Sequence, residues 1–318
     1  MKRILALALL VFSSLSLGQG FPSHPVKIIV AFPPGGSTDI TARLVAPKLS
    51  EMWKQPVVVE NKPGAGANIG TDFVAKSAPD GHTLLLATTA LAASAAVYDK
   101  LPYDPFKDLA PVVFVSSIPN LLVVNPALPA STPREFVQYA KANPGKLSYA
   151  SPGPATGQRL AFELIKQTAG LDFLHVPYKG GAPAGQAVMA GEVQAMIVNL
   201  VEALPQVKAG RMKAIAVTTL KRSPMLPEVP TLAETVTPGL DVSVWQGLLA
   251  AGGTPKEAVA RINRDFTAVL ALPDVREKLA GMGMDVAPGT SAEFEQFLRA
   301  EIAQWKRVAQ GANIKATE

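Results

Sequence analysis

Two short stretches of this sequence set glycine, proline and hydroxyl residues in an order suited to holding an anion. The first, Ala31-Phe32-Pro33-Pro34-Gly35-Gly36-Ser37-Thr38-Asp39, follows a strand-like run and precedes a helical pattern that begins near Ile40. Glycine lets the backbone come close to a ligand, and the first turn of a helix carries N–H groups without intrahelical partners. The aligned peptide dipoles add about half a positive charge there. Gly36, Ser37 and Thr38 therefore offer amide and hydroxyl donors, although Ser37 or Asp39 acting only as a helix cap is the other reading of the same residues. The second stretch, Ser151-Pro152-Gly153-Pro154-Ala155-Thr156-Gly157-Gln158, also lies between a strand and an apolar helix, here containing Leu160, Leu164 and Ile165. Ligands of open α/β sheets sit beyond the carboxyl ends of strands, so the two loops are expected to face each other across one cleft. Each would bring an uncapped helix start, and a dicarboxylate would place one anionic group at each.

Other chemistries find little support. The stretch Pro63-Gly64-Ala65-Gly66-Ala67-Asn68-Ile69-Gly70 misses the dinucleotide spacing in its last interval and lacks a following acidic residue at a strand end, so it reads as a structural or cleft-wall loop. No Gly-x-Ser-x-Gly elbow is present, and the second loop lacks the lysine of a phosphate loop. His24, His82 and His175 are too scattered for metal-ligand spacing and read as surface or core residues. Cysteine is absent, which removes thiol chemistry and a lipid anchor on an N-terminal cysteine. The expectation is a binding protein, not an enzyme, with no catalytic residue, no metal and no cofactor.

These loops need a scaffold, and the pattern supplies one. Short runs rich in Val, Ile and Leu alternate with amphipathic stretches, the signature of an α/β fold with parallel strands and crossover helices. Strands are expected at Lys27–Ala31, Val57–Glu60, Thr83–Thr88, Pro111–Ser116, Leu121–Asn125, Leu147–Ser151, Phe173–Val176, Val193–Val198 and Ala214–Thr218. Helices are expected after Ser131-Thr132-Pro133 and Thr254-Pro255 and from Ser291 to about Gln310, the last with a stripe of Phe294, Phe297, Leu298, Ile302 and Trp305. Pro47 is expected to kink or shorten the first helix. With 318 residues, 48% of them hydrophobic, the chain is long enough for two doubly wound lobes. It changes lobe through two extended crossover segments, Ser117–Val124 and Val242–Ala250, giving residues 21–120 plus 247–318 as one lobe and 121–246 as the other.

Residues 1–20 have a charged start at Lys2 and Arg3, an apolar run and then small residues, which reads as a signal peptide cleaved near Gly18 to Gly20 and so as periplasmic export. The formal net charge of +5 falls to +3 without Lys2 and Arg3. The remaining Lys and Arg are scattered, so no nucleic acid is expected.

At these same residues the sequence resembles the periplasmic substrate-binding proteins of tripartite tricarboxylate transporters, the Bug receptors. The resemblance spans the mature chain and rests on Phe32 to Asp39, Val59-Glu60-Asn61-Lys62-Pro63-Gly64-Ala65-Gly66, Ala78-Pro79-Asp80-Gly81-His82-Thr83-Leu84 and Leu101-Pro102-Tyr103-Asp104-Pro105. It continues through Asn143 to Leu147, His175-Val176-Pro177-Tyr178-Lys179-Gly180, Ala214 to Thr218 and Pro227-Glu228-Val229-Pro230-Thr231. It implies a type II periplasmic-binding-protein fold and a cleft for citrate, other di- and tricarboxylates, acidic amino acids or aromatic acids. Amides, hydroxyls and water, in place of arginine, would grip the ligand. By position, the proximal carboxylate would meet Gly36, Ser37 and Thr38, with Phe32 as an apolar wall and Thr88 and Thr89 beside it. The distal group would meet Ser151, Gly153, Thr156, Gly157 and Gln158, with Tyr178, Lys179 and Asn199 near the floor. A monomer that delivers a small carboxylate to a membrane permease is implied. A periplasmic sensor signalling to a partner, or a hydrolase or isomerase on the same lobes, are the other readings. Relatives commonly carry serines and then histidine where this chain has Thr156-Gly157-Gln158-Arg159, and Arg159 is expected to point outward as a solvated helix residue.

Overall fold

The computed structural model describes residues 20–311 and residue 314. The signal-peptide reading therefore lies outside the described residues, apart from Gly20. Short β-branched runs build β1 (Val26–Val30), β2 (Val57–Asn61), β3 (Thr83–Thr88), β5 (Leu147–Ser151), β6 (Phe173–Pro177), β7 (Ala195–Asn199) and β8 (Lys213–Val217). With β4 (Leu109–Val124) and β9 (Ser243–Ala251), the sheet order is β2-β1-β3-β9-β4-β7-β5-β6, with β8 and the two-residue β10 (Asp285–Val286) paired to β4. The parallel pairs expected from the alternating pattern lie toward the two ends of this order, β1 with β2 and β3, and β5 with β6 and β7. The middle of the sheet is antiparallel.

Those central strands correct the sequence reading. The runs expected at Pro111–Ser116 and Leu121–Asn125 are one continuous strand, β4 (Leu109–Val124), about 50 Å long at 3.3 Å per residue. β4 pairs with β9 (Ser243–Ala251) as far as Pro119, and with β7 from Asn120 onward. Pro119 has no N–H to give to a ladder, and it stands where the partner changes. β9, read from sequence only as an extended crossing, is a fully paired central strand between β3 and β4. It enters through Val242, whose N–H donates to Thr218 O and whose carbonyl accepts from Asn120 Nδ2 and Thr218 Oγ1.

Successive residues of a strand point to opposite faces, and the apolar contacts follow. Ile29, Leu85, Leu122, Tyr149 and Trp245 belong to one layer, while Ile28, Leu84, Leu121, Met196 and Leu248 belong to the other. The helices are α1 (Ser37–Trp53), α2 (Asn68–Ala75), α3 (Thr89–Val97), α4 (Pro133–Ala142), α5 (Gly157–Ala169), α6 (Gly181–Ala190), α7 (Leu200–Lys208), α8 (Lys256–Leu270), α9 (Pro273–Gly281) and α10 (Ser291–Gly311). Pro47 does not end α1, which continues to Trp53. Pro47 and Arg43, four residues earlier, both lie on the exposed face, so the carbonyl that Pro47 cannot satisfy is open to water.

The stripe expected on α10 is present, with Phe294, Leu298, Ile302, Trp305 and Ala309 buried and Phe297 packed at its margin. Phe294 lies directly over Gly247 of β9, where a Cβ would stand 2.1 Å from the ring. Trp245 meets both Phe294 and Phe297 edge-on with ring centroids 5.7 Å apart. Gly247→Ala should therefore destabilise the protein by about 1–3 kcal/mol through overpacking, and Phe294→Leu in the same chain should recover part of that loss. Urea unfolding of the two variants checks both; a neutral Gly247→Ala would show that α10 does not press on this strand.

Candidate functional site

The carboxyl ends of β1, β3, β5, β6 and β7 are followed by the starts of α1, α3, α5, α6 and α7, and residues from all five turns line one cavity. Its wall holds Phe32, Gly36, Ser37, Thr38, Thr88, Thr89, Thr156, Gln158 and Asn199, nine of the residues expected from sequence. About 50 Å³ is left free in it, room for roughly four waters. A second, larger cavity of about 560 Å³ adjoins it and shares Phe32, Pro33, Pro152 and Gly180. Gly153, Tyr178 and Lys179 line this second space, together with Pro63–Ala67 of the glycine-rich loop expected to form a cleft wall. Ser151 and Gly157 line neither.

The first loop is held by a local network. Gly35 adopts φ 90°, a conformation open to glycine at little cost, and its N–H donates to Asp39 Oδ2 at 3.0 Å. Asp39 also accepts from Arg43 Nε and from Asn61 Nδ2, and the Asn61 amide holds Phe32 O as well. Burial would raise the Asp39 carboxyl, but the hydrogen bonds from Arg43, Gly35 and Asn61 outweigh it and hold the group below the ordinary carboxylate range. Neither Ser37 nor Asp39 is the cap: Gly36 occupies that position without a side-chain bond. The Ser37 and Thr38 hydroxyls have no hydrogen-bond partner among the described residues.

The other helix starts differ in a way the sequence reading did not foresee. α5 is capped, because Thr156 Oγ1 accepts from Arg159 N at 3.4 Å. Thr88 likewise caps α3, and Asn199 caps α7. The uncapped start facing α1 from the other half of the sheet is that of α6, at Gly180. Gly157 matters instead for close approach, since a Cβ there would lie 2.6 Å from Thr89 Cγ2. Thr89 Oγ1 accepts from Trp245 N at 3.1 Å and so ties the start of α3 to β9.

Sequence reasoning missed Glu202, Pro152, Gly180–Pro183 and Val244, all of which line the first cavity. Glu202 carried one signal: Asn199-x-x-Glu202 has the spacing of a capping box. Its carboxylate does not turn back to the Asn199 backbone. It accepts from Asn199 Nδ2 at 2.8 Å and lies near the start of α1 across the cleft, where the Ser37 backbone N–H favours its charged form. Burial raises the Glu202 pKa, and these two groups offset part of the rise.

Arg159 also corrects its expectation. It is partly buried and donates to Pro154 O at 2.5 Å. Its charge, after burial itself and together with Lys166, pushes the nearby His175 down to about 3. The same cluster sets Ser151 Oγ 2.7 Å from His175 Nε2, a contact that primary structure conceals. Ser151 Oγ donates to Gly153 O, so the assignment consistent with this network has His175 Nε2–H donating to Ser151. The imidazole is then not poised to take the serine proton, and the buried hydroxyl faces neither cavity. His24, Asp80 and His82, scattered in the sequence, are brought together with potential ligand atoms within 4.8 Å of one another. His82 Nε2 accepts from Ser23 N, while Nδ1, 3.2 Å from Asp80 Oδ1, has no hydrogen-bond partner among the described residues.

Comparison with known proteins agrees with this geometry. Residues 41–314 match the tripartite tricarboxylate transporter family receptor. The chain is 36% identical to protein BugT of Bordetella pertussis over 299 residues, covering 93% of this chain and 92% of that protein. The solved structure of R. palustris Rpa4515 with adipate is similar at TM-score 0.89 and 36% identity, covering 93% of this chain and 99% of that one. MatC from Rhodopseudomonas palustris with bound malate is similar at TM-score 0.85 and 34% identity, covering 91% and 99% respectively.

The depressed Asp39 pKa makes a signed prediction. Such a group contributes stability that is present above its unfolded value of about 3.9 and is lost as pH falls through the folded value. Asp39→Asn should lower stability by about 1–3 kcal/mol at pH 7, and thermal melts of the two proteins should converge as the pH drops below about 4. A gap that stays constant with pH would show that the Asp39 charge does not hold this loop.

Proposed function

Because the chain belongs to the tripartite tricarboxylate transporter receptor family, we propose that it is a periplasmic receptor whose lobes close on a small carboxylate and present it to a membrane permease. The family is one of solute-binding receptors, not of enzymes, and its two-lobed periplasmic-binding fold is the fold found here. The observation that carries the reading for this chain is the convergence of five helix starts, drawn from both halves of the sheet, on one cleft. Relatives of this fold hold adipate and malate, which supports an acid of that size as the ligand class.

In this reading the lobes divide near Pro119–Asn120, where β4 exchanges β9 for β7, and near Val242–Ser243, where β9 begins. In this proposal the ligand carboxylate takes the hydroxyls of Ser37, Thr38, Thr88 and Thr89 and the amide of Gln158, against the Phe32 ring. Gly153, Tyr178 and Lys179 meet whatever extends into the second cavity. Ligand favours the closed arrangement because only there do donors from both lobes reach one molecule. Charge-assisted hydrogen bonds contribute about 1.5–3 kcal/mol each. Three or four of them, less the cost of ordering, reach the roughly −8 kcal/mol of a micromolar complex.

Thermal shift with a panel of mono- and dicarboxylates should find acids that stabilise the protein by about 2.7 kcal/mol at a hundred times their dissociation constant. For the best of them, Thr38→Val and Gln158→Ala should each weaken binding roughly ten- to a hundredfold by calorimetry, without moving the melting point of the free protein by more than a few degrees. Unchanged affinity in both variants would move the site out of this cleft.

A further inference from the structure

Among the residues lining the first cavity, Glu202 is the only ionisable one. No lysine or arginine shares that wall. Its side chain accepts from Asn199 Nδ2 at the start of α7 in one half of the sheet and reaches the start of α1 in the other. The second oxygen lies against Gly181, where a Cβ would stand 1.8 Å from it, and the first lies 3.4 Å from a Cβ placed on Gly36. Glu202 thus sits between α1 and α6, the two of the five helix starts at this cleft that have no side-chain cap. The protein's own carboxylate already holds the positive pole that an acidic ligand would seek. The free space around it is about 50 Å³, with the cavity of about 560 Å³ adjoining, so a guest whose end enters this wall meets Glu202.

A dicarboxylate would bring two negative charges to a cavity wall whose ionisable residue is itself an acid, the nearest lysine on the cleft, Lys179, lining the adjoining cavity. Like charges brought together in a space with little water repel strongly. A molecule with one carboxylate and one positively charged group has no such conflict. Its carboxylate can take the hydroxyl of Thr88 and the amide of Gln158, and its cation can pair with Glu202.

We propose that Glu202 is a specificity-determining residue that makes this cleft a site for acids bearing a positively charged group, such as ω-amino acids, in preference to dicarboxylates. The proposal rests on the receptor reading above.

Calorimetric titration tests it with length-matched probes, succinate against γ-aminobutyrate, glutarate against δ-aminovalerate, and adipate against ε-aminohexanoate. Each is titrated into the wild-type protein, Glu202→Gln and Glu202→Ser, with melting curves confirming that the variants fold. In the best-fitting pair the wild type should bind the amino acid at least about tenfold more tightly than the diacid. Either variant should shrink or reverse that ratio by about tenfold or more, chiefly by gaining affinity for the diacid. A ratio that favours the diacid in the wild type, or one that neither variant moves, overturns the role of Glu202 and leaves the receptor reading intact. If none of the acids binds any of the three proteins, the carboxylate reading falls, and this proposal with it.

Discussion

The structure depends on one constraint: helix starts that converge on a small space must have their amide donors satisfied, and the described wall of the first cavity holds no lysine or arginine to share the task of holding an anion. Five helices begin around it, each with N–H groups lacking partners inside the helix. Thr88, Thr156 and Asn199 satisfy three of the five through side-chain caps. α1 and α6 have glycine at the capping position and no such bond, and an anion is the natural complement there. A neutral wall of hydroxyls and amides binds a charged group by position, so its geometry has to be fixed by the surroundings.

The central strands do that fixing. β4 is common to both halves of the sheet and changes partner at Pro119, while β9 enters beside it through the Asn120, Thr218 and Val242 bonds. Thr89 connects this frame to the cleft, because its hydroxyl is held by Trp245 N of β9 and its methyl group lies against Gly157 of the opposite half. Gly247 is pinned under Phe294 of the last helix, so the C-terminal segment steadies the strand that carries Trp245. The lobe closure proposed above would therefore be concentrated where β4 changes neighbours and β9 begins, with the helix starts carried along by each half.

Much of this was legible before any coordinates. Alternating and continuous apolar runs located β1, β3 and β5 because strand burial has a period of two, and the two glycine loops stood out because few residue types tolerate a strand-to-helix turn. What escaped was tertiary in origin. Two apolar runs separated by Ser117 to Asn120 look like two strands until both halves of the sheet claim them. Pro47 looks like a helix breaker until its face is known to be exposed. Arg159 follows the helix start by two residues and reads as solvated, yet the Pro154 carbonyl draws it inward beside the buried Tyr149. Ser151 with His175, and His24 with His82, are neighbours only after folding.

Glu202 shows most clearly where local reading stops. Three residues after Asn199, at the start of a helix, a glutamate is the expected partner in a reciprocal cap, and that explanation looks complete from sequence. The structure sets its carboxylate beside Gly36, on the far side of the cleft, instead. Backbone donors at helix starts are the same whatever the sequence, so they can fix that an anion is held but not which one. Discrimination among acids of similar length has to come from side chains that enter the cleft, and a charged one outweighs the rest: hydroxyls and amides adjust their hydrogen bonds to many guests, whereas a carboxylate in a confined space changes the sign of what the neighbouring position accepts. A fold built on shared helix starts can for this reason keep its frame while single residues such as Glu202 redirect it from one kind of acid to another.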